Sequence, residues 1–279
     1  MNKHEPAYFD ELTWPDVNDA VGEGKIPIFS VGCVEEHGPH LPLQTDWVIA
    51  HRVAEEASAR SEGELLVMPP VPYGYITHGM DFPGCITVGW RHLFDQCMDI
   101  TKSLAYHGFR KMIILNGHGS NWLPLELAGR RTNLETEAVC AVTDCMKLVA
   151  VDPEFRAGWT MGEFPETSHG GDVETSLMLH LAPKTVRKEK IVRQSPYSTA
   201  EYYSDVTAGR NLVNVFGWTS ATTPSGSFGR PDLATAERGR LLFEEMVEQL
   251  VTFVSAFREE PRQPRVDHHA RPPSIEFPA

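Results

Sequence analysis

The sequence predicts an α/β domain with a mostly parallel central sheet covered by helices on both faces. Two observations carry this expectation. Short apolar runs alternate with amphipathic stretches of helical period through most of the 279 residues, the strand–helix order that builds parallel sheets. Clusters of histidine, carboxylate and glycine follow directly on two of the expected strands, and such sheets bind ligands beyond the carboxyl ends of their strands.

Residues 26–33 (IPIFSVGC) are an apolar run ending in glycine-containing sequence and read as a buried strand. Residues 46–60 follow as an amphipathic helix, with Val48, Ile49, Val53 and Ala57 near one face. Residues 65–71 (LLVMPPV) read as a second strand, cut short by Pro69 and Pro70. A helix over 91–107 turns Leu93, Cys97, Ile100, Leu104 and Ala105 inward and stops at Gly108. Residues 111–115 (KMIIL) are the third strand and open into Asn116-Gly117-His118-Gly119-Ser120-Asn121. A helix over 123–132 and a strand over 138–143 come next, then helices over 173–181 and 232–257, the last with Asp232 at its start. Residues 1–258 are expected to form one domain, and 259–279 a proline- and arginine-rich tail packed on the surface or mobile.

Composition narrows the partners. A hydrophobic content of 41% suffices for one large α/β domain. A net charge of −13 repels phosphate backbones, so nucleic acid is not an expected partner. No apolar run approaches the roughly 20 residues that span a bilayer, and the first sixteen residues lack the apolar core of a secretion signal. The expectation is a cytoplasmic protein without membrane attachment. The five cysteines are odd in number and form no CxxC pair, which fits neither a disulfide framework nor a zinc ribbon. They are expected to be buried as small apolar groups.

Three polar clusters carry the chemistry. Within residues 35–46 (EEHGPHLPLQTD), Glu35 and His37 are two apart and share a side of an extended segment. Asp46 opens the next helix and can turn back toward the strand end. Two carboxylates and an imidazole suit zinc, manganese or iron. A plainer reading has Thr45 or Asp46 capping the helix and His37 as a polar loop residue. His118, after the third strand, is a candidate third or fourth ligand, with Ser120 or Asn121 as N-cap of the next helix. In residues 168–176 (SHGGDVETS), His169 precedes two glycines on an open turn. Glu174 lies in the first turn of a helix, where the macrodipole favours a carboxylate, so its local sequence leaves ligand and cap both open. His78 lies in a further loop ahead of Phe82-Pro83-Gly84.

Taken together, the stretches VGCVEEHGPHLPLQTD (31–46), HGMDFPG (78–84), ILNGHGSN (114–121), HGGDVETS (169–176) and GRPDLATAERG (229–239) resemble the creatininase (creatinine amidohydrolase) family, in order and spacing from about residue 26 to 258. The resemblance implies a three-layer α/β/α fold, two divalent metal ions per subunit and a homohexamer acting on a small-molecule substrate. Carried over by position, Glu35, Asp46 and His118 hold one ion, and His37 and Asp46 the other, with Asp46 bridging. His169 matches the proton-transfer residue, and His78 and Ser120 are candidate substrate contacts. Glu36 falls where the family often has glutamine and is not assigned as a ligand.

The chain also departs from creatininase itself. There a glutamate two residues after the histidine of the NGH motif binds metal, and here that position is Ser120. A tyrosine that contacts creatinine is replaced by Gly119, and the commoner threonine after FPG by Cys85. In members with the same glycine-rich NGHG form, the glutamate of the ETS motif looks like the substitute, so the resemblance implies Glu174 as the last protein ligand of the second ion. The implied reaction is attack of metal-activated water on a carbonyl carbon, breaking a non-peptide C–N bond of a cyclic amide or formamide. Cleavage of a C–C bond in a cyclic polyol-derived ketone, and an inactive metal-binding scaffold, are the alternatives.

Overall fold

The computed structural model of the chain describes residues 5–149, 169–193 and 217–271. Strands β1 (Ala7–Tyr8), β2 (Ile26–Val31), β3 (Leu65–Val67), β4 (Lys111–Asn116) and β5 (Val139–Asp144) form one sheet in the order β1-β3-β2-β4-β5. Every neighbouring pair is parallel. Among the described residues the helices are α1 (Trp14–Gly22), α2 (Thr45–Arg60), α3 (Trp90–Tyr106), α4 (Trp122–Glu135), α5 (Cys145–Leu148), α6 (Asp172–Leu181), α7 (Thr219–Thr222) and α8 (Ala236–Glu259).

Central strands with no polar face need cover on both sides, and the alternation of side chains supplies two apolar layers. Ile26, Ile28, Ile113 and Leu115 face one layer, with Val53 and Ala57 of α2, Leu177 of α6 and Leu250 and Val254 of α8. Phe29, Val31, Met112 and Ile114 face the other, with Ala20 of α1, Leu93 and Cys97 of α3 and Leu125 of α4. The fold is thus the expected α/β/α arrangement. Leu250 is fully buried in the first layer. Leu250→Ala is expected to destabilise the protein by about 2–5 kcal/mol, read as a lower denaturant midpoint with an unchanged slope. A loss under about 1 kcal/mol would mean that the layer closes over the gap.

The departures from expectation have local causes. β3 ends at Val67, short of Pro69 and Pro70, and Val71 rejoins the sheet only as an isolated bridge to Val31. Asp232 does not start α8: Pro231–Leu233 form a 3-10 turn, and Thr235 is the N-cap, its hydroxyl accepting the Arg238 N–H at 3.1 Å. β1 and α1 were not expected. β1 is two residues long and carries no period, whereas α1 has readable punctuation, a Thr13/Asp16 capping box and a proline at its start. Only Ala20 of α1 is buried, so its apolar stripe is weak. Residues 260–271 run exposed along the surface, where Arg262 donates to the Thr136 carbonyl at 2.7 Å. Among the described residues, no helix is long and apolar enough to cross a membrane.

Parallel strands end on one edge, and the register sets which ends meet. Val31 pairs with Asn116, and the Gly117 N–H donates to the Val31 carbonyl at 2.8 Å. The clusters that follow β2 and β4 therefore emerge side by side.

Candidate metal centre

Glu35, His37, Asp46 and His118 are all buried at this edge. Asp46 lies in the first turn of α2, whose axis starts above β2 and β4. That approach needs Gly117, since a Cβ there would stand 2.5 Å from the Asp46 carbonyl oxygen. Asp46 divides its carboxylate between two histidines. Its Oδ1 is 3.0 Å from His37 Nε2, and its Oδ2 is 3.2 Å from His118 Nδ1. The capping alternative is not what forms: Gln44 is the N-cap of α2, and the Thr45 hydroxyl donates to the Pro42 carbonyl at 2.7 Å. Glu35 Oε2 lies 2.7 Å from His118 Nδ1. Glu174, from the first turn of α6, brings Oε1 to 3.5 Å from His37 Nε2.

The two readings of Glu174 turn out to be compatible. Its Oε2 accepts the Gly170 N–H at 2.7 Å at the start of α6, while Oε1 faces His37. His37 Nδ1 lies 3.2 Å from the Glu35 carbonyl, and Nε2 faces Asp46 and Glu174; a proton kept at Nδ1 would free Nε2 for a cation, the arrangement common for imidazole ligands. The peptide of His118 is held from behind. Asn116 Oδ1 accepts the His118 N–H at 3.1 Å, and Asn116 Nδ2 donates to the His118 carbonyl at 2.7 Å and to Asp144 Oδ2 at 2.8 Å. Asn116, within the NGH stretch, and Asp144, outside every motif, thus position His118.

His169 arrives on a backbone pair with Phe228, and its ring lies 4.4 Å from that of His37. Its Nε2 is 2.8 Å from the Glu36 carbonyl, 3.4 Å from Glu36 Oε1 and 3.6 Å from Glu35 Oε1. Burial and the neighbouring His37 push the His169 pKa down, but the carboxylates of Glu35 and Glu36 outweigh them and raise it to about 9. Burial likewise opposes charge on His37, yet Asp46 and Glu174 hold its pKa well above the usual imidazole range. Burial would raise the Asp46 carboxyl; His37 and His118 instead hold it far below the usual carboxylate range. The buried carboxylates are thus balanced by protonated imidazoles, whose protons a bound cation would displace.

His78, on the 3-10 turn Thr77–Gly79, stacks against His118 at 6.1 Å between ring centres. Burial, then the nearby His118 and His169, lower its pKa to about 4. Ser120 stands further out, half-buried in the turn Gly119–Asn121. Neither Ser120 nor Asn121 caps α4 through its side chain. Asn121 instead accepts the Tyr75 N–H at 2.8 Å and donates to the Gly32 carbonyl at 3.1 Å. Among the aromatic residues of the loops, which are candidates to wall a pocket, Phe228 packs on His169 and Trp218 is exposed, while Trp159, Phe164 and Tyr197 lie outside the described residues.

Whether the cluster fits a cation can be judged from its unpaired atoms. Glu35 Oε2, His37 Nε2 and Asp46 Oδ2 are buried with ion-pair neighbours but no well-directed hydrogen bond, and His118 Nε2 is buried with no hydrogen-bond partner among the described residues. Ligand atoms of His37, Asp46 and Glu174 lie within 4.8 Å of one another, as do those of Glu35, His78 and His118. Nitrogen and carboxylate donors at this spacing suit zinc, manganese or iron.

An α/β/α sheet carrying such a carboxylate–imidazole cluster at its carboxyl edge defines a metal-dependent hydrolase. The family model described as Creatininase: Creatinine amidohydrolase matches residues 10–254, and the chain belongs to that family. It is 30% identical over 273 residues to the creatinine amidohydrolase of Pseudomonas putida, covering 91% of this chain and 96% of that one. It is 29% identical over 257 residues to the mycofactocin precursor peptide peptidase of Mycobacterium ulcerans (strain Agy99), covering 89% and 88%. A crystal structure of creatinine amidohydrolase superposes with a TM-score of 0.77 at 26% identity, covering 92% of this chain and 99% of that one. Similar creatininase structures include a manganese form and a zinc form.

Proposed function

We propose that the chain uses two divalent ions per subunit to hydrolyse a non-peptide C–N bond in a small molecule, a cyclic amide or a formamide. Glu35, Asp46 and His118 would hold one ion, and His37, Asp46 and Glu174 the other. The observation that carries this reading is the divided carboxylate of Asp46, one oxygen toward His37 and the other toward His118. A pair of such ions lowers the pKa of water toward neutrality and polarises a carbonyl oxygen.

The chain's own groups do the rest. His37 and His118 present fixed nitrogens, and the Asn116–Asp144 pair keeps the His118 peptide from turning. His169 holds a proton at Nε2, beside Glu35 and Glu36, and delivers it to the leaving nitrogen. His78 and Ser120 contact the substrate from the open side. The homologous peptidase and amidohydrolase both support C–N cleavage. The replacement of a glutamate by Ser120 and of a tyrosine by Gly119 argues against creatinine itself. A cytoplasmic homohexamer is part of the same proposal, and the molecular mass in solution checks it.

A product assay on lactams, formamides and cyclic ketones tests the reaction class. Amine or amino acid release from an amide is the expected result; turnover of the ketones alone would replace C–N by C–C cleavage. Glu174→Gln tests the second ion. Glutamine keeps an oxygen for the Gly170 N–H, so the helix start survives. Affinity for the second ion should fall by at least roughly 10–100-fold, the range seen when even an outer partner is lost. Unchanged stoichiometry and affinity in a metal titration would leave Glu174 as a cap only.

A further inference from the structure

Cys33 stands apart from the other thiols. All five cysteines are free and buried. Cys97 and Cys140 pack in one apolar layer and Cys145 in the other; of the two thiols outside both layers, Cys85 accepts the Glu36 N–H at 3.3 Å, whereas Cys33 lies among candidate ligand atoms. It lies two residues beyond the end of β2 and two residues before Glu35. Its sulfur, a carboxylate oxygen of Asp46 and a ring nitrogen of His118 lie within 4.8 Å of one another. In these same two residues, Asp46 Oδ2 and His118 Nε2 are buried without a hydrogen-bond partner among the described residues. The thiol itself makes a long contact, 3.8 Å, to Asn121 Oδ1. Room for the sulfur comes from Gly74, where a Cβ would lie 2.5 Å from Sγ.

We propose that Cys33 is a sulfur ligand of the ion held by Glu35, Asp46 and His118. This inference rests on the metal centre proposed above. On binding, the thiol gives its proton to solvent and the sulfur lone pair bonds to the cation. A thiolate beside imidazole and carboxylates favours zinc or cobalt over manganese, which prefers all-oxygen surroundings. The sulfur therefore sets which metal this chain retains.

The test is reconstitution of metal-free full-length protein with cobalt(II), read by absorption and by elemental analysis. Wild-type protein should show a thiolate-to-cobalt charge-transfer band in the near ultraviolet. Cys33→Ser, and Cys33→Ala should the serine variant misfold, should bind the same amount of cobalt and lose the band completely, while Cys85→Ser keeps it. In a zinc–manganese competition, the zinc preference of Cys33→Ser should fall by roughly 10-fold or more. Cobalt bound by the wild type without the band, or a band that survives in both Cys33 variants, overturns the sulfur ligand and leaves the two-ion centre standing. Wild-type protein that takes up no cobalt overturns both.

Discussion

Asp46→Ala is expected to leave the protein without bound divalent metal and to lower turnover by more than about 10²-fold. The bound rests on geometry. Loss of an outer partner of a metal ligand already costs roughly 10–100-fold, and Asp46 faces both His37 and His118 directly, at 3.0 Å and 3.2 Å. Alanine removes one oxygen from each half of the site at once. The fold should survive, because the N-cap of α2 is Gln44 and the core residues of that helix lie further along it. Elemental analysis of the purified variant, with circular dichroism to check folding, gives the answer. Two ions per chain in a folded Asp46→Ala protein would show that this carboxylate does not bridge.

His169→Ala should behave in the opposite way with respect to metal. Metal content should remain at the wild-type level while kcat falls by about 10²–10⁴-fold, the usual worth of a positioned acid–base group. The ring Nε2 approaches the Glu36 carbonyl at 2.8 Å, closer than the 3.6 Å to Glu35 Oε1, and the segment is held by backbone hydrogen bonds to Phe228 that alanine retains. The variant therefore loses the proton carrier without losing the turn. Ligand atoms of Glu35, His37 and His169 are nonetheless close enough to share a cation. A fall in metal content parallel to the fall in kcat would make His169 a ligand, and an unchanged kcat would remove it from the reaction.

Much of this centre was legible before any coordinates. Glu35 and His37 stand out because extended backbone puts alternate residues on one side, and the same rule points to Cys33, one step earlier, which reads on composition alone as a small buried apolar group. Asp46 and Glu174 each look like helix-start carboxylates. Nothing local distinguishes a cap from a ligand, because both roles ask for the same group at the same turn. Asn116 lies inside the NGH stretch, but its pairing with Asp144 carries no local signal, since it is made across two strands separated by 28 positions.

The sequence by itself determined the layers: β2 to β5 and helices α2, α3, α4, α6 and α8 follow from apolar periodicity, which each segment expresses through its own neighbours along the chain. The tertiary structure alone decided that Val31 pairs with Asn116, and hence that carboxylates and imidazoles from four distant segments face one another. It also decided that Glu174 caps with one oxygen and offers the other. The physical reason is range. Periodicity and capping act within a few residues, whereas strand register and the convergence of buried polar groups are fixed only when the whole sheet has packed.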